Sequence, residues 1–166
     1  GTVTGVQTCA LPISTISRVG ENIELKRVAR LGADGGVTGG YVHAGGKLGV
    51  IVALHSAASV DQVEALAKDL AMHVAAADPT PVAVDRDGVP TDLIEREQNL
   101  LRRQAEQSGK PAQVVDRIVE GRIQKFLSEV CLLKQSFVKD PDQTVGEIVE
   151  QVAKAVGEKI RVTGFT

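Results

Sequence analysis

The sequence is short of aromatic residues and has no block of basic residues. Among its 166 residues there is no Trp, one Tyr and three Phe, and the formal net charge is −2. Proteins that bind single-stranded nucleic acids stack bases on exposed aromatic rings, and a phosphate backbone needs a basic surface. Both features disfavour a nucleic-acid partner. Because aromatic residues are so few, the core must be built from Val, Leu, Ile and Ala.

Long apolar runs and paired cysteines are missing as well. No run approaches the roughly 18 apolar residues that a membrane-spanning helix needs. The two cysteines, Cys9 and Cys131, are far apart in the sequence and have no second thiol nearby. That usage fits a reducing cytoplasm better than a disulfide framework. The length suits one domain, or one domain with a subdomain, that folds without a disulfide or a metal.

Motifs for metal binding or catalysis are also absent. The three histidines, His43, His55 and His73, have no metal-binding spacing, and there is no Gly-x-Ser-x-Gly elbow. The Gly-rich run at 32–40 lacks the Lys-Ser/Thr pair of a phosphate-binding loop, so hairpin turns explain it better. We therefore predict a binding module without metal or cofactor, and not an enzyme. His55 and His73 are expected to be structural, whereas His43 ends a Gly-flanked strand and is expected to face a partner.

The pattern of apolar residues predicts an α+β fold. Alternating or β-branched stretches predict strands at 21–31, 37–43, 50–56 and 159–166. Helical periodicity predicts amphipathic helices at 59–78, with Ser59 as N-cap, and at 144–157. The segment 135–143 is expected to be a loop. Together these elements predict a three- to four-stranded antiparallel sheet packed with helices.

Residues 91–133 are predicted to form an inserted helical hairpin. Thr91 is expected to cap its first helix, Gly109 to end it, and Pro111 to start the second helix. The apolar residues of the second helix alternate at spacings of four and three, which indicates the seam of an antiparallel coiled coil: Val119, Ile123, Phe126, Val130 and Leu133. Residues 15–90 and 134–166 then form the domain from which the hairpin projects.

Six stretches occur in the order and spacing of a known family. They are VGENIELKRV, GGYVHAGGKLGVIV, LAMHVAAADP, QSGKP, VEGRIQKFLSEVCLLKQSFVKDP and TVGEIV. From about Ser17 to Phe165 the chain resembles bacterial elongation factor Ts, which promotes GDP release from the GTPase elongation factor Tu in translation. The resemblance implies that 15–90 and 134–166 are the second core subdomain of such a factor, and that 91–133 is its coiled-coil insert.

The resemblance also implies a docking role. In the family a Thr-Asp-Phe-Val motif of the first core subdomain drives exchange, and these 166 residues contain no such motif. The second core subdomain grips the third domain of elongation factor Tu. The positions that match this contact region are Val19, Gly20, His43, Phe137 and Val138. A docking fragment with little or no exchange activity is therefore expected, with some exposed apolar surface that favours self-association.

The first residues do not fit the family. Residues 3–13, VTGVQTCALPI, match the in-frame translation of a common sequencing-library adapter. We expect residues 1–14 to be a non-native segment, disordered or packed without specificity, in which Cys9 has no function. Finding these codons contiguous with the gene in genomic DNA would overturn that expectation. The alternative to the family assignment is a self-standing coiled-coil scaffold for protein interaction or oligomerisation.

Overall fold

A single helix begins the described part of the chain. The computed structural model describes residues 10–24, 28–32, 35–107 and 111–166. Contacts divide the chain into two units, Gly1–Arg30 and Leu31–Thr166. In the first unit, helix α1 spans Ala10–Val19. Residues 10–14, for which disorder was expected, lie in this helix, and residues 1–9 lie outside the described residues.

The strand expected at 21–31 is not observed in its described residues, 21–24 and 28–31. The alternating apolar residues do not face a core, because Ile23 is 38% and Val28 is 51% exposed. An alternating pattern specifies a strand only where one face is buried against a core. Residues 25–27 of this segment lie outside the described residues.

Three antiparallel strands form the main sheet. They are β1 (Gly36–Val42), β2 (Gly49–Ser56) and β5 (Ile160–Phe165), in the order β1-β2-β5. The register places the inward residues opposite one another, as in the pairs Val37↔Leu54 and Leu54↔Val162. Three of the four predicted strands and the α+β class are thus confirmed.

Helix α2 (Val60–Ala76) covers the inward face of the sheet. Ser59 is its N-cap residue, as expected, and its backbone N–H donates to Gln62 Oε1 at 3.2 Å. Gly39 of β1 allows the strand to approach α2, since a Cβ at that position would lie 2.4 Å from the carbonyl carbon of Ala67. The helix contributes its apolar stripe to the core: Val63, Leu66, Ala67, Leu70, Ala71 and Val74.

The helical hairpin is present, but its packing differs from the expected seam. Helices α3 (Thr91–Glu106) and α4 (Ala112–Val130) pack against each other, and Pro90 rather than Thr91 is the N-cap residue of α3. Gly109, which was expected to end this helix, lies outside the described residues. The buried residues of α4 are spaced by four, four, four and three: Val115, Val119, Ile123, Leu127 and Val130. Leu127 therefore replaces Phe126, which is half-buried, and Leu133 packs against the sheet core instead.

The two ends of the hairpin meet where the chain leaves and rejoins the sheet domain. Ala83 forms a parallel bridge with Cys131. The N–H of Leu132 donates to Ala83 O at 2.8 Å, and the N–H of Leu133 donates to Val84 O at 3.1 Å. Two apolar clusters lie on either side of this junction, one under the sheet and one between α3 and α4.

The segment expected to be a loop contains a small hairpin. Strands β3 (Ser136–Phe137) and β4 (Asp140–Thr144) pair antiparallel, and α5 (Val145–Val156) follows directly. The loop prediction for 135–143 is wrong. The Lys, Pro and Asp residues of this segment are rare in strands, so its sequence does not indicate the strand pairing that the structure shows. Within the described residues, no helix is long and apolar enough to cross a membrane.

Candidate protein-docking site

His43 lies at the tip of the sheet, on the turn that joins β1 to β2. Its N–H donates to Leu48 O at 2.9 Å, and the N–H of Gly46 donates to His43 O at 3.0 Å. Gly45 and Gly46 have φ values of +89° and +69°, which L-residues rarely adopt. The ring is exposed and lies 3.3 Å from the Tyr41 hydroxyl through Nδ1. The turn therefore presents His43 to solvent while holding its backbone firmly.

Exposed apolar side chains surround this turn, and the sequence analysis did not single them out. Val42 is 70% exposed, Leu48 44% and Ile51 42%. Exposed apolar side chains grouped beside a polar one are typical of a protein-binding surface. Strand alternation was the signal that could have found them, because Val42 and Ile51 occupy the outward positions of β1 and β2.

Val138 lies on a second turn, between β3 and β4, and is 43% exposed. Phe137 beside it points the other way and is only 5% exposed, within the sheet core. The two residues were expected to act together at the docking surface. The structure separates their roles, because Val138 reaches solvent and Phe137 anchors the turn.

A buried polar network fastens this second turn to α2. His73 Nδ1 accepts a hydrogen bond from the Val138 N–H at 3.2 Å, and His73 Nε2 lies 3.0 Å from Gln135 Oε1. Gln135 Nε2 donates to the carbonyls of Pro79, at 2.9 Å, and Glu129, at 2.6 Å. Burial lowers the pKa of His73 below 6.5, an effect that the Gln135 hydrogen bond partly offsets. The structural role expected for His73 is thus confirmed.

Two further features flank the second turn. Lys139 Nζ forms an ion pair with Asp69 Oδ1 of α2 at 2.6 Å. Beside Val138 lies an open groove of about 410 Å³, lined by residues that include Glu129 and Lys134. Its mixed lining suits protein contact better than a small apolar ligand, which prefers a closed pocket.

The order of the elements predicts that the two turns lie toward the same end of their unit. Strand β2 ends at Ser56 and α2 begins at Val60, and so short a connection is typical of a helix that runs antiparallel to the strand before it, here β2, and hence parallel to β1. The β1–β2 turn follows the end of β1. The second half of α2 holds the β3–β4 turn through Asp69 and His73. In this arrangement the end of β1 and the second half of α2 would carry both turns toward one end of the unit.

Val19 and Gly20 belong to the other unit, Gly1–Arg30. Val19 is the last residue of α1 and is 57% exposed. Gly20 has a φ of +75°, and its N–H donates to Ile16 O at 2.8 Å, so it closes the helix in a left-handed conformation. These two predicted site residues thus form a helix end.

Other chemistry finds little support in the described part of the chain. No group of three or more His, Cys, Asp or Glu side chains is placed there to hold a metal ion. Cys131 is fully buried, and burial raises the pKa of its thiol above 9.0, so it is a poor nucleophile. His55 was expected to be structural, but it lies on an exposed position of β2.

Comparison with known proteins agrees with the resemblance. A sequence model of the family described as Elongation factor TS matches residues 6–165. The chain is 45% identical over 150 residues to elongation factor Ts of Magnetococcus marinus, covering 90% of the chain and 49% of that relative. It is 46% identical over 147 residues to elongation factor Ts of Clostridioides difficile, covering 89% of the chain and 48% of the relative.

The chain spans about half the length of these two relatives, 49% and 48%. For elongation factor Ts of Geobacter sulfurreducens the chain covers 65% of the relative, at 42% identity over 144 residues. The family match begins at residue 6, ahead of Ser17, where the resemblance was expected to start. Since the match includes almost all of the sequence, the chain belongs to the elongation factor Ts family.

Proposed function

We propose that this chain is a docking module of a guanine-nucleotide exchange factor, which binds elongation factor Tu through the end of the sheet domain that carries His43 and Val138. Membership of the elongation factor Ts family supports the choice of partner. The observation that carries the proposal is the exposure of both residues on ordered turns, with apolar Val42, Leu48 and Ile51 beside His43. The proposed place of action is the cytoplasm, where translation occurs.

The two turns offer complementary chemistry for binding. The His43 ring supplies a hydrogen-bonding group, and the neighbouring valine, leucine and isoleucine supply area that loses water on contact. Val138 supplies a second apolar contact on a turn that α2 holds in place. Phe137 contributes indirectly, through its packing in the core. Val19 and Gly20, in the other unit, are also proposed to contact elongation factor Tu.

Exchange itself requires a factor that binds the nucleotide-free GTPase more tightly than the GDP-bound form. In the family the Thr-Asp-Phe-Val motif supplies that difference, and these 166 residues do not contain it. A surface that grips one domain of the GTPase equally in both states leaves nucleotide affinity unchanged. We therefore propose binding with little or no acceleration of GDP release, and no enzymatic reaction.

Isothermal titration of elongation factor Tu with the whole chain tests the docking proposal. Joint replacement of His43→Ala and Val138→Asp should weaken binding by roughly 100-fold or more, because interface hot spots each cost about 2 kcal/mol or more. Val60→Asp is the matched control. Val60 is 56% exposed at the start of α2, where an acidic residue suits the helix dipole.

Absence of binding by the unaltered chain, or equal binding by the double variant, would overturn the docking site. Release of labelled GDP from elongation factor Tu, measured with the same samples, tests the second half of the proposal. Acceleration close to that of a full-length relative would contradict it.

Self-association is the second candidate function. Leu100 of α3 is 44% exposed and Val114 of α4 is 42% exposed, so the helical hairpin keeps apolar surface in solvent. Sedimentation velocity across a concentration series distinguishes this scaffold role from docking. A stable oligomer that Leu100→Glu disrupts, in a chain that does not bind elongation factor Tu, would favour the scaffold.

A further inference from the structure

The hydrogen bonds around His73 allow only one arrangement of protons. A backbone N–H can only donate, so His73 Nδ1, 3.2 Å from the Val138 nitrogen, must carry a lone pair. The ring proton is then on Nε2, which donates to Gln135 Oε1 at 3.0 Å. The orientation of the Gln135 amide supports this assignment, because its nitrogen donates to two backbone carbonyls and its oxygen is left to accept from His73. Every group in the network is satisfied with His73 neutral.

We propose that His73, orientated by Gln135, is a positioning residue that fixes the docking turn by accepting the hydrogen bond of the Val138 N–H. This inference rests on the proposed function, since it concerns the turn that presents Val138 to elongation factor Tu. His73 is 1% exposed and cannot touch a partner itself. It acts through the backbone of the residue that does.

Two contributions of His73 must be separated. Its ring packs on Phe137, with centroids 5.8 Å apart and planes inclined at 33°, and any flat apolar side chain would preserve part of that contact. The bond to Val138 instead needs an acceptor at one defined position. The turn is short, and strands β3 and β4 pair irregularly between Ser136 and Phe137. The strand pairing alone therefore constrains Val138 less than a regular ladder would.

Protonation of His73 would break this arrangement. A proton on Nδ1 would face the Val138 N–H, and two donors cannot bond each other. The charged groups nearby do not bond the ring: Asp69, one turn earlier on α2, pairs with Lys139, and the groove beside the ring is lined by Asp78, Glu129 and Lys134. Burial, which lowers the pKa of His73, keeps the ring neutral near pH 7. Docking is therefore expected to weaken in acid.

Substitution can remove each half of the network separately. The amide oxygen of Asn can occupy the place of Nδ1 and accept from Val138, whereas a Gln side chain extends toward the place of Nε2. His73→Asn should bind elongation factor Tu within about threefold of the unaltered chain, whereas His73→Gln should bind about tenfold more weakly, the ratio for one lost hydrogen bond. His55→Gln is the matched control, because His55 is exposed on β2.

The pH profile gives a reading that a purely structural role would not change. Binding of the unaltered chain should hold near pH 7 and weaken as the pH falls below 6.5, toward the lowered pKa of His73. His43 is present in both proteins, so the difference between the unaltered chain and His73→Asn isolates His73. Hydrogen exchange of the Val138 amide, measured by NMR in the free chain, should be slow in the unaltered protein and His73→Asn, and fast in His73→Gln.

The outcomes distinguish this inference from the proposed function. If the unaltered chain does not bind elongation factor Tu, both fail. If His43→Ala weakens binding but His73→Gln and His73→Asn bind equally, with equal Val138 exchange, only the positioning role of His73 is overturned. If His73→Gln lowers the melting temperature and binding in the same proportion as His73→Asn, the role is packing on Phe137 alone. The inference is supported if His73→Asn binds almost as well as the unaltered chain, His73→Gln does not, and binding by His73→Asn depends less on pH.

Discussion

Gly39 shows how one missing side chain fixes the distance between two elements. A Cβ at this position would lie 2.4 Å from the Ala67 carbonyl carbon and 2.5 Å from the Lys68 nitrogen, both of which are backbone atoms. Helix α2 would have to move away from β1. We expect Gly39→Ala to lower the free energy of unfolding by about 3 kcal/mol, the upper part of the range for overpacking.

The neighbouring glycine is the control for that prediction. A Cβ at Gly40 would meet only Val50 O, at 3.8 Å, which is ordinary contact. Gly40→Ala should leave stability unchanged or raise it, because glycine weakens a strand interior. Urea denaturation of both variants measures the difference. Equal stability of the two would show that α2 adjusts freely over the sheet.

His73 makes the stability of the fold depend on pH. Burial lowers its pKa below 6.5 in the folded state, so the unfolded chain binds a proton that the folded chain does not. Such a group costs nothing well above pH 6.5, and it lowers the free energy of unfolding as pH falls below 6.5 toward the folded pKa.

Denaturation of the unaltered chain and of His73→Asn at a series of pH values measures this effect. The stability of the unaltered chain should decrease more steeply on acidification below its plateau, because Asn does not titrate. Parallel curves for the two proteins would show that His73 does not contribute. The sequence predicted a structural histidine here, but its partners, Gln135 and Val138, are more than 60 positions away, and periodicity carries no information on such contacts.

Helix α4 is an element whose burial pattern departs from a heptad. Leu127 is completely buried, whereas Phe126, which the heptad spacing favours, is half-buried. Leu127→Ala should therefore cost about 2–5 kcal/mol, the usual range for a buried leucine. Phe126→Ala should cost less despite removing more atoms. Thermal unfolding of the two variants measures these costs. A larger loss of stability for Phe126→Ala than for Leu127→Ala would support the expected heptad seam instead.

Helix α5 starts with a reciprocal pair of hydrogen bonds. Glu147 Oε2 accepts from the Thr144 N–H at 2.6 Å, and the Glu147 N–H donates to Thr144 Oγ1 at 3.2 Å. The Thr144 N–H and hydroxyl hold the pKa of Glu147 below 4.5, so this support is present above pH 4.5 and is lost as pH falls further.

Removing the cap residue tests the strength of this helix start. Thr144→Ala should cost about 1 kcal/mol at neutral pH, the typical value for an N-cap. Thr144→Ser retains the hydroxyl and should cost much less. Chemical denaturation measures both, and a Ser variant as unstable as the Ala variant would mean that the threonine methyl group, not its hydroxyl, matters.

The elements were predictable from sequence to different degrees. Helix α2 and strand β2 carry long, regular patterns, and both appear within a residue or two of the expected bounds. Strand β3 has two residues, which is too short for any period to be visible, and its pairing with β4 depends on contacts with α2. Of the site, the exposure of His43 followed from its place at a Gly-flanked strand end, and Val138 was named only through the family resemblance. The burial of Phe137 required the three-dimensional packing.

At the scale of the whole molecule, the second unit has two apolar clusters of different build. The sheet cluster is enclosed by strands and by α2 and α5, whereas the hairpin cluster is formed mainly by α3 and α4. Fewer elements cover the hairpin, and its ion pairs, such as Arg102–Asp116, are exposed and contribute little. Hydrogen exchange followed by mass spectrometry should show faster exchange in α3 than in β2. Equal protection would indicate that the two clusters unfold together.

The parallel bridge between Ala83 and Cys131 has a consequence for the reach of the molecule. The chain departs and comes back at one point, so the distance between those two residues does not depend on how many residues lie between them. Adding the same number of residues to α3 and to α4 would lengthen the helical hairpin by about 1.5 Å for each residue added to both helices. The turns that carry His43 and Val138 would stay where they are. The length of the hairpin can therefore be changed by engineering while the junction between Ala83 and Cys131 stays the same.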